Sequence, residues 1–399
     1  MLQLSPDPGF HFELLRMLAT TRTQGSDVAE ILNVCERIIP GDFESWYNEF
    51  DALANWVEST VSEDRDYDRA TLRDAYLRVS RYRFASSFYL IGDVKDERNW
   101  TTWREWTKYF DKAGQLMDIP LERHSIDTGD FSIPLILARC SLDDTPRPIL
   151  ILGNGLDGSI EEMLHFHGLA ALERGYHVLL YEGPGQTTVI RDQRKGFIHD
   201  WERVITPIVD WLYPKNFVRR DAIGLMGVSL GGYLAVRAAA FEHRLAAVIL
   251  IDGIFDVSSS VKAIFGEEAM KHDNKDIDQF HKALEARGRE NTTALWLANQ
   301  IKWTFNTDSA HEALQQVKKM TLEGILHQVK CPVFVADAEH DSLVASNQPT
   351  LVAEGLGKRA TYRKFTKKES AEAHCHLGAS VFSNQIFLEW FKDQIRLPN

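Results

Sequence analysis

Cysteine is scarce and scattered in this 399-residue chain: Cys35, Cys140, Cys331 and Cys375 form no CxxC pair and no dense framework. That excludes a zinc-ribbon type of metal site and a disulfide-stapled scaffold, and it fits a reducing compartment. Long apolar runs are missing too. No stretch approaches the roughly 20 residues that span a bilayer, and the start lacks a basic segment followed by an apolar one. The expectation is a soluble, unexported, cytoplasmic protein with no membrane partner. Positive charge is in deficit, with 45 Lys and Arg against 57 Asp and Glu and a net charge of −12. Such a balance repels nucleic-acid phosphates and anionic lipid, so the expected partner is a small molecule. Internal repeats and low-complexity tracts are absent. With 44% hydrophobic and 26% charged residues, wholesale disorder is excluded.

What is present divides at about residue 120. Before it, apolar residues recur at three and four, as in Phe43, Trp46, Phe50 and Leu53 or Leu72, Tyr76, Val79 and Tyr82. This spacing predicts an all-helical domain over 1–120. From 121 the texture changes. Strands are expected at Phe131–Leu137, Pro148–Leu152, His177–Tyr181, Ala222–Met226, Ala246–Ile251, Cys331–Ala336 and Ala360–Phe365. Helical patterns alternate with them over Glu161–Arg174, Asp200–Leu212 and Ser229–Ala240, and an amphipathic helix closes the chain near Ser383–Ile395. Alternation of this kind predicts an α/β fold with a mostly parallel, doubly wound sheet over 121–399. Between 256 and 328 strand signals lapse and helical ones remain, which reads as a helical insertion before the last strands.

The segment Gly227-Val-Ser229-Leu-Gly231 lies between an apolar strand and an Ala-rich helix. A serine on so sharp a turn needs small neighbours on both sides, and the helix that follows aims the Leu230 N–H and its positive end at any oxyanion formed there. A serine at neutral pH needs a base, and the base needs an orienting carboxylate. In hydrolases of this type the chain order is Ser, acid, His. Asp337, Glu339 and Asp341 follow the strand at 331–336; Asp341, in the loop proper, is the preferred acid, with Asp337 better placed for a turn-capping role. His374 and His376 are the bases left downstream, and periodicity does not choose between them. A second oxyanion donor is expected after the strand at 148–152, where Gly155 leaves room for the Leu156 N–H.

That loop, Gly153-Asn-Gly155-Leu-Asp-Gly158, also spells G-x-G-x-x-G, with Glu182 ending the next strand, as in a dinucleotide-binding fingerprint. Asp157, Glu161 and Glu162 crowd the helix start where a pyrophosphate needs positive potential, which weighs against an oxidoreductase. No G-K-[ST] follows, so neither this loop nor Gly183-Pro-Gly185 is a P-loop.

Taken together, Asn154-Gly-Leu-Asp-Gly-Ser-Ile-Glu-Glu162, Tyr181-Glu-Gly-Pro-Gly-Gln186, Asp200-Trp-Glu-Arg-Val204, Gly227-Val-Ser-Leu-Gly-Gly-Tyr233, Arg237-Ala-Ala-Ala-Phe-Glu-His-Arg244 and Glu372-Ala-His-Cys375 resemble the α/β-hydrolases with an N-terminal helical cap. That group includes 2,6-dihydropseudooxynicotine hydrolase and the fungal hydrolases that shorten or release polyketides in pigment and secondary metabolism. The resemblance spans about 148–378, and the helical first 120 residues match a cap. It implies Ser229 as nucleophile, Asp341 as acid and His374 as base. It also implies Asp157 and Glu182 as loop anchors. The sequence departs from many relatives at Asn154-Gly155, where they carry two glycines. The expected reaction is acyl transfer on a carbonyl, cleaving a carbon–carbon bond, an ester or a thioester, with Leu156 and Leu230 N–H groups holding the oxyanion. Neither metal nor cofactor is required. A cyclase, an acyltransferase or a ligand-binding module on the same fold is the alternative. Trp46, Trp56, Trp100, Trp103 and Trp106 are expected to pack the cap core, with apolar substrate lining as their other use. A homodimer is compatible with such a cap.

Overall fold

Short runs of branched apolar residues, bounded by polar or glycine-containing turns, build the sheet. The computed structural model describes residues 2–61 and 65–396, and among these eight strands join in one sheet. They are β1 (Glu122–Asp127), β2 (Ser132–Ala138), β3 (Arg147–Gly153), β4 (His177–Tyr181), β5 (Val218–Val228), β6 (Ala247–Ile251), β7 (Val333–Ala338) and β8 (Ala360–Phe365). Their order is β1-β2-β4-β3-β5-β6-β7-β8. The pairs β1 with β2 and β2 with β4 are antiparallel, and the rest of the sheet is parallel. Ile149, Leu150, Ile151 and Leu152 of β3 and all of β6 are buried, as expected of central parallel strands covered on both faces. Each such side chain contributes about 1.5–3 kcal/mol relative to exposure. The fold is that of the α/β-hydrolases, with a helical region ahead of the sheet.

Seven strands lie where the sequence pattern put them, with ends moved by a few residues. β1 was not expected, because its Glu-Arg-His-Ser-Ile-Asp run is largely exposed and has little apolar character to mark it. The helix expected over Glu161–Arg174 is present over 162–172, and within it Leu164–Gly168 is a π-helical turn that runs into Leu169–Leu172. The wider turn carries His165 and His167 into the interior, where His167 Nδ1 lies 2.8 Å from Asn384 Oδ1.

The chain forms two compact units, one of Met1–Leu121 with Gly288–Gln300, the other of Glu122–Arg287 with Ile301–Asn399. In the first, helices Pro8–Leu18, Val28–Arg37 and Phe43–Ser59 each begin on an aspartate, Asp7, Asp27 or Asp42, whose side chain accepts main-chain N–H bonds. Helices Arg69–Ser87 and Arg98–Gln115 complete the bundle. Phe10 packs on Trp46 at 4.8 Å and on Tyr89 at 5.0 Å, and Trp46 Nε1 donates to Ala85 O at 2.8 Å. Trp46 and Trp106 are core residues, whereas Trp100 and Trp103 are half-buried and Trp56 is 54% exposed. Gly288–Gln300, expected within the insertion of the hydrolase domain, belongs with this bundle: Trp296 stacks on Phe88 at 5.7 Å, and Thr292 Oγ1 donates to Asp7 at 2.7 Å. The second unit holds the insertion helices Val257–Phe265, Glu267–His272 and Ala310–Val317. Among the described residues no helix is long and apolar enough to cross a membrane.

β5 turns into helix Leu230–Ala239 through Ser229, whose φ of 58° and ψ of −124° are rare outside glycine. The turn is possible because a Cβ on Gly227 would stand 1.9 Å from Gly231 O and 2.9 Å from the Ala235 Cβ, a volume no side chain can enter. Gly227→Ala is therefore expected to cost about 1–3 kcal/mol or more in urea unfolding; a variant as stable as wild type would show that the turn has slack.

Candidate active site

Three loops at the carboxyl ends of parallel strands supply the site. Ser229 follows β5, Asp341 follows β7 and His374 follows β8. His374 Nε2 lies 2.8 Å from Ser229 Oγ, and its Nδ1 lies 2.8 Å from Asp341 Oδ2. When the ring is neutral and donates its Nδ1 proton to the carboxylate, Nε2 is the atom that accepts the Ser229 O–H. Asp341 Oδ1 is fixed in turn by the N–H groups of Leu343 at 2.7 Å and Val344 at 2.8 Å. The other candidates point elsewhere. Asp337 accepts from Tyr362 OH at 2.5 Å and pairs with Lys364, and Glu339 accepts the Lys367 N–H at 2.7 Å. His376 is buried against Phe365, 4.0 Å between ring centroids, with Nδ1 3.1 Å from Ala371 O.

Sequence reasoning missed Asp252, the residue directly after β6. Its Oδ2 also lies 2.8 Å from His374 Nδ1, and the same atom accepts the Cys375 N–H at 2.6 Å. Asp252 has a φ of 64°, and Cys375 and His376, beside the imidazole, have φ of 56° and 54°. Three left-handed residues thus surround one ring, a concentration of backbone strain that ordered packing must hold. A carboxylate immediately after the strand next to the one that carries Ser229 was the available signal. In Ile251-Asp-Gly253 it reads as an ordinary turn.

Two carboxylates on one buried nitrogen set the electrostatics. Burial acts to lower the His374 pKa, but Asp341 and Asp252 outweigh it and hold the value well above the usual 6.5. For Asp252 burial acts upward and is overcome by His374 and the Cys375 N–H, bringing the carboxyl down to about 2. Asp341 moves the other way, raised by burial and by the Asp252 charge.

The loop after β3 lies against Ser229: a Cβ on Gly155 would come within 3.0 Å of the Ser229 Cβ and 3.1 Å of Leu230 N. Leu156 is the next residue, and Leu230 opens the helix behind Ser229. Asp157 is half-buried on this loop, and Glu182 is fully buried at the end of β4. Burial and the nearby Glu161 push Glu182 up to about 7. The glycine spacing that resembles a dinucleotide fingerprint serves this close packing instead. The Glu162 carboxylate stands 3.2 Å from where a Gly158 Cβ would lie, and that negative charge suits no pyrophosphate.

The sequence profile of the prolyl oligopeptidase family matches residues 166–396, more than half of the sequence. The chain belongs to that family of α/β-hydrolases. It is 29% identical to the hydrolase acrC of Aspergillus aculeatus, over 100% of this chain and 99% of that one. It is 28% identical to 20-hydroxy-prefusarin hydrolase FUS2 of Gibberella moniliformis, over 82% and 81%. Among solved structures, 2,6-dihydroxy-pseudo-oxynicotine hydrolase shares the fold with a TM-score of 0.68 at 20% identity, covering 95% of each chain. This α/β-hydrolase is thus related to hydrolases of fungal secondary metabolism. Asp252, His374 and Cys375 are the one group among the described residues whose donor atoms lie close enough, within 4.8 Å, to hold a metal ion. The donors fit a metal poorly. The imidazole nitrogen is shared between carboxylates, and burial pushes the Cys375 thiol up to about 12, far from the thiolate a metal takes.

The raised His374 value has a consequence for stability. The native protein holds this proton more tightly than the unfolded chain does, so the stabilisation is complete below the unfolded value of 6.5 and is lost as pH rises through the folded value. In urea titrations at stepped pH, the stability gap between wild type and His374→Gln should narrow as pH increases above 6.5. A gap that widens with pH would show that the ring is held neutral.

Proposed function

We propose that this hydrolase works by a serine acyl-enzyme mechanism on a carbonyl of a polyketide-like small molecule. The observation that carries the reading is the unbroken chain of hydrogen bonds from Ser229 Oγ through His374 to two carboxylates. His374 takes the Ser229 proton as the oxygen attacks the carbonyl carbon, and the oxyanion is received by the Leu156 and Leu230 N–H groups. Collapse expels the leaving group, to which His374 returns the proton. Water, deprotonated by the same ring, then releases the acid. An alcohol or thiol leaving group gives esterase or thioesterase chemistry. A stabilised carbanion, from a β-diketone or an acylated electron-rich ring, gives carbon–carbon cleavage.

The carbon–carbon reading is the one we favour. Once His374 has taken the serine proton, its imidazolium, held between Asp341 and Asp252 and facing Ser229, stands where it can return that proton to a carbanion. Kinship with 20-hydroxy-prefusarin hydrolase, among the polyketide-pathway hydrolases, supports a polyketide-like substrate. The test is a parallel turnover screen of β-diketones, acyl-aryl ketones, esters and thioesters with wild type and Ser229→Ala. Turnover of a diketone or aryl ketone is expected, with kcat/KM falling by about four orders of magnitude or more in the variant. Full activity in Ser229→Ala would end the covalent mechanism, and activity confined to esters and thioesters would end the carbon–carbon reading.

A further inference from the structure

The segment Tyr181-Glu-Gly-Pro-Gly-Gln186 carries no reacting group, yet both of its long polar side chains end in the loop that follows β3. Gln186 is buried; its Nε2 donates to Asn154 O at 2.8 Å and Gly155 O at 3.3 Å and also meets Asn154 Oδ1. The other end of that amide, Oε1, accepts the Gly183 N–H at 2.8 Å, which fixes its orientation. Glu182 Oε1 accepts from the Ile160 N–H at 2.7 Å and from Asn154 Nδ2 at 3.2 Å. Its Oε2 accepts the Thr188 N–H at 2.7 Å, and Thr187 Oγ1 donates to Gly158 O at 2.7 Å. One short stretch therefore grips Asn154–Ile160 at its beginning, middle and end. The gripped loop is the one that lays Gly155 against Ser229.

We propose that Glu182 and Gln186 are positioning residues that brace Asn154–Ile160, so that the Leu156 N–H is already in place when an oxyanion forms on Ser229. The claim rests on the serine-nucleophile reading above. An oxyanion donor is effective because it needs no reorganisation at the moment of reaction, and a tolerance of roughly 0.5 Å separates a working donor from an idle one. Most of the bracing bonds run to main-chain atoms of the loop, so a side chain of the same size without those bonds leaves the loop in place but free to shift. Transition-state stabilisation is lost while ground-state binding is kept.

The test uses the full chain and an aryl fluorophosphonate followed by intact mass. Ser229 Oγ bonds to phosphorus, fluoride leaves, the serine proton passes to His374, and the phosphoryl oxygen occupies the oxyanion position. Gln186→Met and Glu182→Gln are expected to lower the second-order labelling rate by about 10-fold or more. On a p-nitrophenyl ester, kcat should fall with them while KM stays within about twofold. Val352→Ala, a buried residue of helix Gln348–Leu356, supplies a destabilised control whose labelling rate should match wild type. The milder Thr187→Val, which removes one bond, should fall between. Brace variants that label at the wild-type rate would overturn the proposal, as would a Val352→Ala control that, at an equal loss of melting temperature, slows as much as they do. A wild type that the phosphonate does not label would instead remove the serine reading, and the brace with it.

Discussion

Everything at this site depends on one imidazole nitrogen carrying two buried carboxylates. Asp252 is 0% and His374 4% exposed, so neither charge has water to fall back on. A lone buried charge costs several kcal/mol, and removing one member of a buried pair typically costs 3–5 kcal/mol. The fold meets that cost by hydrogen-bonding both acids elsewhere too, Asp341 to the N–H groups of Leu343 and Val344 and Asp252 to that of Cys375. Asp252 consequently ties together the end of β6, the ring of His374 and the main chain just past it. Its backbone also packs against helix Leu230–Ala239, since a Cβ on Gly232 would stand 2.2 Å from Asp252 O.

The parallel sheet makes this convergence possible. β5, β6, β7 and β8 are neighbours, and each delivers one polar residue beyond its carboxyl end: Ser229, Asp252, Asp341 and His374. β3, on the other side of β5, delivers the loop with Gly155 and Leu156, and β4 beyond it delivers Glu182 and Gln186. Six adjacent strands thus place their loops in one row. The strain at Ser229, Asp252, Cys375 and His376 is the local cost of aiming these groups, and the apolar strands beneath them offset it.

Much of this was legible in the residues. The Gly227-x-Ser229-x-Gly231 turn needed its glycines for steric reasons that the structure makes concrete at Gly227. Asp341 was separable from Asp337 because the latter still belongs to β7, where its carboxylate is taken by Tyr362 and Lys364. Choosing His374 over His376 needed family resemblance, because both sit in one short turn and only three-dimensional packing turns His376 onto Phe365. Asp252 escaped because its role is created by a residue 122 positions downstream. β1 escaped because an exposed edge strand leaves little apolar pattern, and Gly288–Gln300 because the stacking of Trp296 on Phe88 joins residues far apart in sequence.

A double-mutant cycle of Asp252→Asn and Asp341→Asn, read as kcat/KM on the best substrate or as phosphonate labelling rate, tests the shared nitrogen most directly. If both carboxylates orient His374, each single variant keeps part of the activity, and the double variant loses more than the product of the two single losses. If one single variant already falls to the level of the double while the other matches wild type, only one carboxylate serves the ring, and the shared nitrogen is not the basis of this site.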